Sequence, residues 1–130
     1  MDSTESNNCR MPILDGTNYG YWKLRIRQLM RSLDITYWEA CLKSYEQPYL
    51  VDDIYGESVP VPYHNYSDEQ KTECKANEKA LNLIFSCINT NMMDLVHECK
   101  TAQEAWTILQ DHCEGDTRVK DAKVRQLRWR

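Results

Sequence analysis

The sequence predicts an all-α fold, a compact bundle of about five helices that runs on into the start of a linker helix. Three observations predict it. Glycine and proline number only four each in 130 residues, which leaves little room for the many tight reversals of an all-β chain. Apolar residues recur at steps of three and four along most of the chain, the spacing that lines one face of a helix. Two segments, Ser67-Asp68-Glu69-Gln70 and Thr101-Ala102-Gln103-Glu104, carry a hydroxyl followed three residues later by an amide or a carboxylate, the pattern that satisfies two free N–H groups at a helix start.

Taken in order, residues 1–13 are expected to form a disordered leader, and Pro12 to Gly16 a short extended lead-in. Thr17 or Asn18 is a candidate N-cap. A helix follows over Tyr19–Leu33, with Trp22, Ile26, Leu29 and Leu33 on one face and Lys23, Arg27 and Arg31 riding beside them. Asp34-Ile35-Thr36 breaks the run, and Tyr37 to Leu42 reads as a short helix that carries Trp38 and Leu42 inward. From Lys43 to Tyr66 the pattern is lost. Pro48, Pro60 and Pro62 fall here with Gly56 and the acidic pair Asp52-Asp53, while Tyr49, Leu50, Val51, Ile54, Tyr55, Val59 and Val61 suggest that part of the segment packs, an edge hairpin being one form. So long a connection in a small domain is either functional or mobile.

The first capping box opens a helix expected to reach about Ile88, with Ala76, Ala80, Leu83, Ile84 and Cys87 on its buried side. Asn89 to Asn91 punctuate, and Met92 to Cys99 form a short helix with Met92, Val96 and Cys99 on a stripe. The second capping box opens a helix whose Ala102, Ala105, Trp106, Leu109 and Cys113 face the core. It is expected to end at Glu114-Gly115-Asp116, with Gly115 as its C-terminal cap. Residues 115–130 read as a basic linker helix, thinly apolar (Val119, Ala122, Val124, Leu127) and without a stop signal, as if truncated before a further lobe. Residues 14–114 are then the body of the domain.

Charge is unevenly spread. From Thr117 onward there are six basic residues (Arg118, Lys120, Lys123, Arg125, Arg128 and Arg130) against one acid, Asp121. That balance of +5 leaves −9 on the preceding 116 residues of a chain whose formal charge is −4. An acidic body with a basic end directs any nucleic-acid contact to the C-terminal segment. Neither a secretory signal at the N-terminus nor a run of about 20 apolar residues occurs. The expected setting is cytoplasmic, with no membrane partner, and the six cysteines are expected to be reduced thiols packing as small apolar side chains.

Few residues suggest chemistry. His97-Glu98-Cys99 and His112-Cys113 offer zinc-type donors, but zinc ligands are usually spaced two to four residues apart on turns. Cys99 and Cys113 lie on apolar stripes, so buried thiols beside surface histidines are favoured and no metal or other cofactor is expected. No glycine-rich turn surrounds a cysteine, and no phosphate loop is present, so catalysis and a small-molecule substrate are not expected. The stripe Lys23, Arg27, Arg31 is read first as a solvated helix face. For Lys120, Lys123, Arg125, Arg128 and Arg130 a solvated face and a weak RNA contact both stay open. Trp22, Trp38 and Trp106 each fall on an apolar stripe and are expected to pack together. Trp129, near the end, is expected to be half of a contact, with Leu127 beside it.

The run Leu14-Asp15-Gly16-Thr17-Asn18-Tyr19-Gly20-Tyr21-Trp22 resembles the Gly-x-Asn-Tyr-x-x-Trp opening of Gag polyproteins from copia-type LTR retrotransposons of plants. Trp38 follows the first helix as in that family. Asn77-Glu78-Lys79-Ala80 resembles its Asp-x-x-Ala step into an Ile/Leu run, and Thr101-Ala102-Gln103-Glu104-Ala105-Trp106 resembles its Thr-Ala-x-Glu-Ala-Trp signature, followed by Leu109. Glu73 stands where the family often has Trp, the connection at 43–66 is long, and no zinc-knuckle spacing occurs. The resemblance implies a capsid-like N-terminal lobe whose work is self-association into the shell of a virus-like particle. A homo-oligomer is therefore expected, with Lys23, Arg27, Arg31, Leu127 and Trp129 as candidate contacts. A Gag-derived host adaptor that binds another protein is an alternative, as is a nucleic-acid-binding fragment acting through the basic C-terminal helix.

Overall fold

The computed structural model describes residues 11–129, with side chains described from 11 to 115. Five helices carry the fold: α1 (Tyr19–Leu33), α2 (Ile35–Leu42), α3 (Asp68–Ser86), α4 (Thr90–Val96) and α5 (Ala102–Trp129). Between α2 and α3 lie two short strands, β1 (Tyr49–Val51) and β2 (Ser58–Pro60), and a 3-10 turn at Tyr63–Asn65. The all-α expectation holds, with this small antiparallel hairpin added.

Local chemistry sets the helix starts. Asp34 Oδ1 accepts from the Thr36 N–H and the Thr36 hydroxyl, which caps α2 and shortens the expected break to one residue. The first capping box is complete: Gln70 N–H donates to Ser67 Oγ, and the Gln70 side chain accepts from Ser67 N–H. Asn89 Oδ1 accepts from Met92 N–H to cap α4, and Thr101 Oγ1 accepts from Glu104 N–H at the start of α5.

The core runs between α1, α3 and α5. Tyr19, Trp22, Ile26 and Met30 are the buried face of α1, Ala76, Ala80, Leu81 and Ile84 that of α3. Met92 and Val96 of α4 and Ala102, Ala105, Trp106, Leu109 and Cys113 of α5 complete it. Met11, which the sequence places in the leader, and Leu14 are also buried there.

Three expectations are corrected. Leu33 is 58% exposed and Leu42 60%. At Asp34 the chain turns back so that α2 covers Met30, whose sulfur lies 3.6 Å from Cys41 Sγ. Leu33 overhangs that contact by one turn, and Cys41 takes the inward position expected of Leu42. The break at Glu114-Gly115-Asp116 is absent, because α5 continues from Ala102 to Trp129. A glycine ends a helix by adopting positive φ, and the glycines with positive φ are Gly16 and Gly56.

Candidate functional site

The motif residues meet in one buried seam. Asp15 Oδ1 accepts from the Thr17 N–H and hydroxyl at 2.8 and 2.7 Å. Asn18 Oδ1 accepts from Asp15 N–H, and Asn18 Nδ2 donates to the Ile13 carbonyl. Gly16, at φ +97°, supplies the left-handed residue that closes this turn. The turn aims Leu14 and Trp22 at the junction of α3 and α4. There the Cys87 carbonyl accepts twice, from Leu14 N–H at 2.8 Å and from Trp22 Nε1–H at 2.9 Å, and Asn89 N–H donates back to the Leu14 carbonyl.

Trp22 then stacks on Trp106, with ring centroids 5.5 Å apart, and Trp38 meets Trp106 edge-on at 5.2 Å. Trp22 and Trp106 are buried, while Trp38 is half-buried at the edge of the core. At the N-terminus of α5 the buried side chain of Asn77 accepts from Ala102 N–H at 2.8 Å and donates to the Lys100 carbonyl at 3.1 Å. Asn77 thus caps α5 from α3. A polar residue in phase with Ala80 and Ile84 was the sequence signal for it, and the stripe reading passed over it.

The expected contact residues fare differently. Lys23 is held within the chain, 3.5 Å from Glu114 and 5.8 Å above the Tyr19 ring. Arg27 is half-buried and Arg31 exposed. Lys120, Lys123, Arg125, Leu127, Arg128 and Trp129 lie on the last turns of α5, and their side chains fall outside the described residues, as does Arg130 altogether. Ala80, Ala105 and Leu109 are fully buried core residues.

A surface groove of about 360 Å³ runs between α2 and the first half of α3, lined by Leu42, Lys43, Tyr45, Thr72, Glu73 and Ala76 among others, with Lys43 and Glu73 paired at 3.5 Å. Its lining contains no cysteine or histidine. Burial pushes up the hydroxyls of Tyr45 and Tyr19 and the thiol of Cys41, the last to about 12. These groups are neutral at physiological pH and unsuited to act as bases or nucleophiles. Cys41, Cys87 and Cys113 are buried as apolar side chains, whereas His97 and His112 are exposed. Among the described residues no three His, Cys, Asp or Glu side chains converge on a common point. No described helix is long and apolar enough to cross a membrane.

Two outer surfaces stand out instead. One is the solvent side of α1, where Tyr21, Leu24, Arg25, Gln28 and Arg31 are exposed at helical spacing. The other is the hairpin, every residue of whose strands is exposed. The hairpin form expected of this segment is present, and Tyr45, Pro48, Val61 and Tyr66 at its base are half-buried, whereas the hydrophobics of 49–59 stay exposed and do not enter the core. Comparison with family models, with curated proteins and with solved structures finds no match.

Proposed function

We propose that this chain is a structural self-association module of the Gag type, a capsid-like lobe that works through exposed contact surface in building a particle shell. The observation that carries the reading is the destination of the motif residues. Trp22, Asn77 and Trp106 come from the three motif segments, and all of them tie helices together instead of lining a cavity. A motif made of structural residues marks a family by its scaffold, and function is then carried by a site outside the motif, here the exposed surface. Contacts between lobes are individually weak and become collectively strong when a closed shell repeats them. Arg27 and Arg31 are the basic contacts on α1, and the basic end of α5 adds a weak RNA contact. The setting is the cytoplasm.

The test is sedimentation of the whole chain across a concentration series at low and high salt, beside Arg27→Glu and Arg31→Glu. Association that grows with concentration and weakens with salt and with either reversal is expected. Oligomers indifferent to salt and to both reversals refute the basic-helix contact. A strict monomer contradicts self-association and leaves the adaptor, to be sought through a different protein partner.

A further inference from the structure

Two exposed elements carry charge of one sign only. α1 holds Lys23, Arg25, Arg27 and Arg31 and no acid, while the hairpin segment 49–60 holds Asp52, Asp53 and Glu57 and no base. Arg25, Arg27 and Arg31 make no ion pair within the chain among the described residues. The hairpin tip also displays Ile54, 82% exposed, and Tyr55, 78% exposed, the two most exposed large hydrophobics among the described residues. An exposed apolar pair rimmed by acidic side chains has the composition of an interaction patch.

The tip is held in one shape. Asp52 N–H donates to the Glu57 carbonyl and Gly56 N–H to the Asp52 carbonyl, both at 2.7 Å. Asp52 Oδ1 accepts from Ile54 N–H at 2.7 Å, and Gly56 takes φ +70°. The stem is anchored as well. Gln47 Nε2 donates to the Tyr66 hydroxyl at 2.7 Å, Tyr66 packs against Tyr63, and Lys71 lies over the Tyr63 ring. A loop already fixed in its binding shape loses little entropy on docking.

We propose that the acidic hairpin tip of one copy docks on the basic outer face of α1 of a second copy. Ile54 and Tyr55 cover Tyr21 and Leu24, and Asp53 and Glu57 face Arg25 and Arg31. The inference rests on the self-association reading and names its contact. The two patches are different surfaces, and each copy carries both. Two copies can satisfy both contacts reciprocally about a two-fold axis, and otherwise the contact passes from copy to copy into a ring or an open chain.

The test is a charge swap in the full chain. Asp53→Lys/Glu57→Lys reverses the hairpin and Arg25→Glu/Arg31→Glu reverses the helix face, while Asp52 is kept because its carboxylate holds the turn. All four positions are exposed, and circular dichroism checks that both variants fold. Each alone should raise the dissociation constant by about tenfold or more, since like charges then face each other. Mixed in equal amounts the two variants should associate again, the reversed hairpin meeting the reversed helix and the native hairpin the native helix. Ile54→Ser/Tyr55→Ser should weaken association at low and at high salt. If the parent associates but neither reversal weakens it, or if the reversed variants stay apart when mixed, the hairpin–α1 contact is overturned and self-association stands on another surface. A parent that is monomeric at every concentration overturns both.

Discussion

Asp15 to Asn18 turn the chain into α1 by bonding with one another, and the chemistry of that turn makes a pH prediction. The Thr17 hydroxyl and then the Thr17 N–H hold the exposed Asp15 carboxyl below its ordinary value of 3.8. A carboxylate whose pKa is lower folded than unfolded adds stability above the unfolded value and loses it as pH falls through the folded one. Asp15→Asn keeps an acceptor but does not titrate, so it should be less stable than the parent at pH about 7, with the gap closing below about pH 4. Thermal melts across that range check this, and a gap that stays constant would contradict it. Asn77 is the second residue whose role is local and specific. Asn77→Ala leaves the buried Ala102 N–H without its acceptor, so it should cost about 1–3 kcal/mol in urea unfolding, with an unchanged slope.

At the scale of elements, the helices were legible because their stripes and caps are local. Ser67 with Gln70 set the start of α3, and Trp106, Leu109 and Cys113 gave the buried face of α5. What misled the reading was tertiary. Leu33 is in phase with Trp22, yet nothing in the sequence says that α2 folds back over Met30 and leaves the last turn bare. Gly115 looks like a stop, but a glycine stops a helix only where it takes positive φ, and α5 continues through it at a cost of about 1 kcal/mol. The hairpin defeated periodicity because its strands have three residues each and bury neither face. The seam of Trp22, Trp38 and Trp106 was readable from spacing alone. Trp106→Ala should remove its centre and destabilise by about 3–5 kcal/mol in a chemical melt. An unchanged melt would mean that Trp106 contributes to a surface and not to the core.

For the whole molecule, the sequence revealed an acidic body and a basic end, but not which faces those charges occupy. The fold gathers the acids of 52–57 at one projecting tip and lines the bases of α1 along one helix, and only three-dimensional placement makes the two complementary. The same placement brings no three His, Cys, Asp or Glu side chains together among the described residues, so purified protein should carry no stoichiometric zinc. One zinc per chain, lost on substituting His97 or Cys99, would contradict that expectation. The proposal is that this chain acts by binding copies of itself. Sedimentation equilibrium of the unmodified chain, from micromolar to millimolar, tests it most directly. Self-association should give a weight-average mass that rises with concentration well above the 15.4 kDa of one chain and falls back as salt is added. A mass that stays at 15.4 kDa throughout would contradict it.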